Sequence, residues 1–356
     1  MISSYFSNCS CSSSQPIQLP LFAINNQSSH FYKYDYSPIN GHRIWVFGQR
    51  GKLYLNKCLG QRKNWQVISS SYLDKNNNTD EKDNAGNGGS QSTSLLSFLC
   101  PLLKLFSGGD PSKERNYLFE ETTSSLSTIA RLPWGSRAIF NGSQNGDAVN
   151  PPIRLQLYEF EACPFCRRVR EALTELDLSA EVFPCPKGSV RHRELVKAFG
   201  GKEQFPFLID PNTGVQMYES SDIVNYLFQQ YGKGRPPSTG LLESTLVTGW
   251  MPTLLRAGRG MTLWEKSTEE GPTRKLELFS YENNAYARLV REALCELELP
   301  YVLQNVAKGS TREALLLSIS GSNEVPFLVD PNTGQQLGDY RQIISYLFNT
   351  YSLPSL

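Results

Sequence analysis

The chain has almost no net charge: 35 Lys and Arg against 34 Asp and Glu leave +1 over 356 residues. Without a basic field there is little to draw a nucleic-acid backbone or an anionic lipid surface, so no nucleic-acid partner is expected. Long apolar runs are also missing. No stretch reaches the 18 or so residues that a helix needs to cross hydrocarbon, which predicts no transmembrane segment. Histidine is scarce, with only His30, His42 and His192, and this weighs against serine-histidine triads and multi-histidine metal sites. The length exceeds what one hydrophobic core fills, so more than one domain is expected.

Acidic residues are nearly absent from the N-terminal segment. Between residues 1 and 73 only Asp35 is acidic, while serine is abundant and Lys33, Arg43, Arg50, Lys52, Lys57, Arg62 and Lys63 are basic. That composition predicts an organelle transit peptide over residues 1–73, with chloroplast favoured over mitochondrion because serine outnumbers arginine. A secretory signal is disfavoured, since the first 21 residues have neither a charged start nor a continuous apolar stretch. A merely disordered tail is the alternative. Residues 74–90 are polar, rich in Asn and Gly and without periodicity, and residues 141–147 are similar, so 74–150 reads as a disordered linker. Within it, residues 95–106 are apolar but interrupted by Pro101. Docking on the fold or peripheral membrane contact both stay open for that stretch.

The ordered protein is therefore expected to begin near residue 151, and there a repeat appears. Residues 155–178 (LQLYEFEACPFCRRVREALTELDL) align with 276–299 (LELFSYENNAYARLVREALCELEL) at an offset of 121 residues. Further on, FPFLIDPNTG at 205–214 aligns with VPFLVDPNTG at 325–334. The chain holds a duplicated unit over 151–234 and 274–352, joined by a helical connector over 235–273. Within the first copy, alternation predicts a strand over 153–160. Val169, Ala172, Leu173 and Leu176 predict an amphipathic helix over 166–178. A strand over 180–183, a helix over 190–199, a hairpin of 207–210 with 215–218, and a last helix capped by Ser220 and running through Tyr231 complete the order.

The chemistry concentrates in Cys163-Pro164-Phe165-Cys166, between the first strand and first helix. Only a thiolate attacks a disulfide, and a free cysteine near pKa 8.5 is mostly protonated at neutral pH. A helix start lowers that pKa through its unsatisfied N–H groups. Cys163 is thus the candidate nucleophile and Cys166, one turn along, the candidate resolving thiol. Arg167 and Arg168 could add positive field at the thiol, though on a helix they are expected mainly on a solvated face. A structural cysteine pair or half of a zinc site are the competing readings; the remaining cysteines form no second Cys-x-x-Cys.

The element order, the tetrad, and a proline just before the third strand resemble the thioredoxin fold. The tetrad looks like that of glutaredoxins, and Glu219-Ser220 resembles the glutathione-holding pair of glutathione transferase N-terminal domains. The tandem arrangement with its leader resembles a plant plastid family of tandem glutathione transferase N-terminal, glutaredoxin-like proteins. The resemblance implies an α/β fold of two βαβαββα units, with glutathione as cofactor and glutathionylated proteins as further partners. It implies a cis Pro206 that presents the Phe205 backbone to glutathione's cysteinyl part. It also implies that Ser220 and Glu219 receive the γ-glutamyl carboxylate and ammonium, while His192, Arg193 or Lys197 could meet the glycyl carboxylate. His192 is otherwise expected at the surface. Cluster binding across a dimer is a family variant that the dithiol and Pro164 disfavour.

The second copy departs at the chemistry: Asn284 and Ala287 replace the cysteines, and Asp339-Tyr340 replaces Glu219-Ser220. It reads as a non-catalytic platform, and Cys295 as a packed residue. The connector is too short for the large helical domain that forms an electrophile pocket in classical glutathione transferases; helix is expected over 241–256, kinked at Pro252. Three functions follow from these readings: a glutathione-dependent thiol–disulfide oxidoreductase, a cysteine-type transferase, or a non-catalytic glutathione- or partner-binding scaffold.

Overall fold

The computed structural model describes residues 116–139 and 150–353, residues 111–112, and, nearer the N-terminus, the backbone of four strands. The chain divides into two compact units, Met1–Asn77 and Asn78–Leu356. In the first, β1 (Tyr32–Asp35), β2 (Ile44–Gln49), β3 (Lys52–Lys57) and β4 (Gln66–Val67) form an antiparallel sheet in sequence order. The remainder of the stretch assigned to a transit peptide, the apolar segment 95–106, and residues 141–147 lie outside the described residues.

The second unit begins with α1 (Tyr117–Ala130). The first repeat then runs β5 (Leu155–Glu159), α2 (Pro164–Glu175), β6 (Ala180–Pro184), α3 (His192–Gly200), β7 (Phe207–Asp210), β8 (Val215–Met217) and α4 (Ser220–Tyr231). A 3-10 turn (Glu243–Leu246) and α5 (Met251–Leu255) follow. The second repeat is β9 (Leu276–Ser280), α6 (Ala285–Glu296), β10 (Tyr301–Asn305), α7 (Glu313–Ser320), β11 (Phe327–Asp330), β12 (Gln335–Leu337) and α8 (Tyr340–Thr350). Both repeats thus have the expected βαβαββα order. No described helix is long and apolar enough to cross a membrane.

In each repeat the first two strands are parallel and the last two form an antiparallel hairpin beside the first. The two halves join into one eight-stranded sheet, ordered β12-β11-β9-β10-β6-β5-β7-β8. At the seam β10 and β6 run antiparallel, with Tyr301 opposite Val182 and Leu303 opposite Ala180. This pairing of the same strand from each copy satisfies two edges that would otherwise expose unpaired backbone groups, and its antiparallel sense is that of a local two-fold axis. One face of each half carries an aliphatic core. Leu155 and Leu157 of β5 pack there with Val169, Leu173 and Leu176 of α2 and Ile223, Val224 and Leu227 of α4. Leu276, Leu278, Val290, Leu294, Ile343 and Leu347 are the second repeat's counterparts.

The Asp-Pro-Asn-Thr-Gly turn of each repeat is pinned by its aspartate. Asp210 accepts from the Asn212 N–H at 2.9 Å and from the Tyr226 hydroxyl at 2.6 Å, and also from Tyr231. Asp330 does the same with Asn332, Tyr346 and Tyr351. Replacing Asp330 with alanine removes the acceptor of the Tyr351 hydroxyl and of a turn amide, while Tyr346 keeps its bond with Thr333, so urea unfolding is expected to show a loss of ~1–3 kcal/mol. Asp330→Asn, which keeps one acceptor, loses less.

The linker reading over 74–150 is corrected for residues 116–139, which form α1 and a docked tail. The buried side of α1 is Thr123, Ser124 and Ser127, whereas Leu118, Leu126 and Ile129 are exposed. Hydroxyls face inward and aliphatics outward, so hydrophobic periodicity carries no signal for docking. Hydrogen bonds hold it instead. Ser124 Oγ donates to Ala285 O at 2.6 Å, Arg288 donates to Ser124 O at 2.7 Å, and Arg131 forms a fork with Glu171. The connector has a similar arm. Its expected single helix is a 3-10 turn and a five-residue helix with Pro252 in the first turn, where a missing N–H costs nothing. Arg256 of this arm forks onto Glu292, the counterpart of Glu171.

The arginines of α2 are buried in a charged layer between the repeats, which corrects their assignment to a solvated face. Glu282 pairs with Arg170 at 2.6 Å, Arg291 at 3.1 Å and Arg167 at 3.4 Å. Glu161 reaches Arg170 at 3.0 Å and Arg291 at 3.1 Å. Asp177 and Glu298, both at φ 53°, each grip a loop of the other repeat. Asp177 accepts from Ser310, Thr311 and Arg312, and Glu298 from the N–H groups of Val190, Arg191 and His192. His192 is buried rather than at the surface, with Nδ1 2.6 Å from Pro184 O, and burial pushes its pKa down to about 4.

Candidate functional site

Cys163 is the N-cap of α2, with extended backbone (φ −76°, ψ 120°) and Pro164 as the first helical residue. Its Sγ accepts from the Cys166 N–H at 3.4 Å. Burial raises the Cys163 pKa, but the Cys166 thiol and the N–H groups of Cys166 and Phe165 outweigh it, and the net direction is down. Cys166 goes the other way: burial and the negative charge of Cys163 push it well above its ordinary value. The two sulfurs are thus shifted in opposite directions, Cys163 down and Cys166 up, the sense of division that thiol–disulfide exchange uses. Both are free thiols.

Beneath them Glu159, the last residue of β5, is buried and pairs with Arg170. Burial raises its pKa to about 7. Its counterpart in the second repeat is Ser280, whose hydroxyl has no hydrogen-bond partner.

The dithiol is roofed by the connector arm. Only 1% of Cys163 is exposed. Thr253 Oγ1 donates to Ala162 O at 2.6 Å, Arg167 donates to Gly249 O at 2.9 Å, and Phe165 meets Trp250 edge-to-face at 6.3 Å. An aromatic pair of this kind contributes ~0.5–1.5 kcal/mol. Trp250→Ala is therefore expected to speed iodoacetamide alkylation of Cys163 by ~2–10-fold, read by peptide mass spectrometry, with alkylation of Cys166 little changed.

The Phe205–Pro206 bond is cis. Among the described residues no hydrogen bond engages the Phe205 backbone, so its N–H and C=O are available to an extended peptide. The Phe205 ring packs edge-to-face on Phe160, with Arg193 over it. Glu219 precedes α4 at φ 61°, a conformation that costs a non-glycine residue of order 1 kcal/mol and that persists at binding sites. Its carboxylate is exposed and accepts from Gln204 at 2.5 Å. Ser220 is the first residue of α4 but does not cap it; its Oγ accepts from Arg168 at 3.2 Å. Cys163, Cys166, Phe205, Pro206, Glu219 and Ser220 therefore occupy one end of the first repeat's sheet. The backbone of Phe205 and the helix start of α4 suit a γ-glutamyl peptide.

In the second repeat Val325–Pro326 is also cis. Asn284 Oδ1 takes the cap position of the Cys163 sulfur, accepting from the Ala287 N–H at 2.8 Å. Asp339 caps α8, accepting from the N–H groups of Arg341 and Gln342. Cys295 is buried, its thiol donating to Gly260 O at 3.2 Å, and burial pushes its pKa well up. Sequence reasoning missed Glu159, Trp250 and Thr253 as neighbours of the dithiol. For the first a signal exists, since repeat alignment sets it against Ser280.

The family model for the glutathione S-transferase N-terminal domain matches the chain twice, over residues 157–237 and 278–355. No curated protein and no solved structure matches the chain. The two matches coincide with the two halves of the shared sheet, and a domain of this kind has a glutathione-related redox or binding function. Residues 157–237 and 278–355 are thus two glutathione S-transferase N-terminal domains in tandem, the first with a Cys-x-x-Cys and the second without.

Proposed function

We propose that the first repeat is a glutathione-dependent thiol–disulfide oxidoreductase site acting on glutathionylated or disulfide substrates, with the second repeat as its non-catalytic partner. The observation that carries this is the placing of the dithiol: Cys163 caps the start of α2 with its Sγ accepting from the Cys166 N–H at 3.4 Å, and the Cys166 thiol and the helix-start N–H groups lower Cys163 while burial raises Cys166. In this reaction the Cys163 thiolate attacks the glutathionyl sulfur of the substrate. The substrate leaves as a thiolate that takes a proton, and Cys163 is left in a mixed disulfide. Cys166, after losing its proton, attacks the Cys163 sulfur and releases glutathione, leaving a Cys163–Cys166 disulfide that two further glutathiones reduce; alternatively a second glutathione attacks the glutathionyl sulfur, leaves as glutathione disulfide and restores the Cys163 thiolate. Phe205, Pro206, Glu219 and Ser220 hold the tripeptide by its backbone and its γ-glutamyl end.

The test is the Cys166→Ser protein incubated with a glutathionylated peptide. Mass spectrometry is expected to find one glutathionyl group on Cys163, removable by added glutathione. Absence of the adduct would contradict the proposal. The burial of Cys163 under the connector arm favours a second reading, a glutathione- or partner-binding scaffold. Under that reading glutathione binds with no turnover in any variant. We further propose a plastid location. A fluorescent protein carrying residues 1–73 is expected to enter chloroplasts, and a cytosolic signal would sink this.

A further inference from the structure

The two repeats meet around a buried layer of charge, and their local two-fold relation lets the layer be compared atom by atom. Arg170 of α2 and Arg291 of α6 are counterparts, as are Glu161 and Glu282. Arg170 Nε donates to Glu282 at 2.6 Å and its Nη2 to Glu161 O at 3.3 Å. Arg291 Nε donates to Glu161 at 3.1 Å and its Nη2 to Glu282 O at 2.9 Å. The match fails at one atom. Arg170 Nη1 donates to the carboxylate of Glu159. Ser280 stands in the place of Glu159, and Arg291 Nη1 is left with Tyr281 O at 3.3 Å.

Ser280 is fully buried, and its hydroxyl has no hydrogen-bond partner among the described residues. Nothing from the protein offsets the desolvation of that group. It ends β9, and strand alternation puts it on the face of Leu276 and Leu278, as Glu159 shares a face with Leu155 and Leu157. The exchange also removes bulk, because serine is shorter than glutamate by a carboxylate and a methylene. Ala287 likewise replaces the larger Cys166, on which Glu159 acts through space in the first repeat.

Charge points the same way. Arg167, Arg170, Arg288 and Arg291 share the layer with Glu159, Glu161 and Glu282, while Glu171 and Glu292 are taken up in forks with Arg131 and Arg256. Glu159, with a pKa of about 7, carries only part of its charge near neutral pH. Arg288 donates to Ser124, Thr128 and Asn283, all neutral, and burial together with Arg167 and Arg291 pushes its pKa down to about 9. A buried layer with more cations than anions is stabilised by one more negative charge.

We infer that the second repeat binds a small monovalent anion of chloride size between Ser280 Oγ and Arg291 Nη1, in the place that the Glu159 carboxylate takes in the first repeat. Both residues are buried, so the site takes a halide and not a bulky organic anion. The ion completes the charge layer between the repeats and is independent of the dithiol chemistry.

The test is urea unfolding of the full chain in sodium gluconate, with chloride added at constant ionic strength, for wild type and Ser280→Glu. Once chloride exceeds its dissociation constant, each tenfold rise is expected to lower the unfolding equilibrium constant of wild type ~10-fold. Ser280→Glu supplies the carboxylate that the first repeat has, so its unfolding is expected not to respond to chloride. Crystals of wild type grown in sodium bromide read the site directly, whether or not the Ser280→Glu chain folds. One anomalous peak beside Ser280 and Arg291 is expected there. A wild type indifferent to chloride, an equal response in Ser280→Glu, or a water in place of bromide beside Ser280 would overturn the inference.

Discussion

Cys163→Ser loses glutathione-dependent reduction of a mixed disulfide by about 10³-fold or more, because a serine hydroxyl is not ionised near neutral pH and forms no disulfide. The expected loss for Cys166→Ser is much smaller, since a second glutathione can attack the Cys163 mixed disulfide in its place. The two variants therefore separate the proposed roles of the sulfurs: steady-state turnover collapses in one and persists in the other. The pH dependence follows the same assignment. The Cys163 pKa is lowered, so the thiolate forms below the pH at which a free cysteine ionises. Turnover of wild type should rise and flatten at lower pH than the reaction of a free cysteine does. Comparable loss in both variants would mean that the reaction needs the pair as a unit.

Glu282→Ala is expected to cost ~3–5 kcal/mol in urea unfolding, the range for removing one member of a buried ion network. Glu282 is 2% exposed and faces Arg170, Arg167 and Arg291. Without it Arg167 keeps no carboxylate within ion-pair distance among the described residues. The network sits between α2 and α6, so its loss loosens the junction of the repeats together with the helix that carries the dithiol. Burial alone would raise the Glu282 pKa, but Arg170 and Arg291 hold it at about 2. A carboxylate whose folded pKa lies below its unfolded value contributes stability that is fully present above about pH 4.5. That contribution fades as pH falls towards 2. Wild type is therefore expected to lose stability over this acid range more steeply than Glu282→Ala, whose curve lacks this component.

The duplication and the element order of both repeats are readable from the chain. The strand expected over 153–160 is β5 (Leu155–Glu159), and the final helix of the first repeat has the expected limits, Ser220–Tyr231. These elements bury aliphatic stripes, which leave a periodic trace. The features that were not legible are polar. The docked side of α1 is built from Thr123, Ser124 and Ser127, and Arg131 reaches Glu171 across 40 positions of sequence. Arg170 and Glu282 are 112 residues apart. A buried arginine and an exposed one look alike until the partner carboxylate is placed.

The same limit applies to the site. The tetrad, Pro206 and Glu219-Ser220 are visible as motifs, but the arm that roofs Cys163 is not, because Trp250 and Thr253 belong to a connector with no motif. Sharing of the sheet across β6 and β10 also leaves no distinct signal. Each is the edge strand of its own repeat with nothing in its pattern to mark a partner, and only the structure pairs Tyr301 with Val182.

The most direct measurement of the central claim is the ionisation of Cys163 itself. The full chain would be alkylated with iodoacetamide across pH 5 to 10 and the Cys163 and Cys166 peptides quantified separately by mass spectrometry. The split dithiol predicts a Cys163 rate that rises at lower pH than that of a free cysteine and a Cys166 rate that stays low throughout. A Cys163 profile at or above that of a free cysteine, or two sulfurs that titrate together, would contradict it.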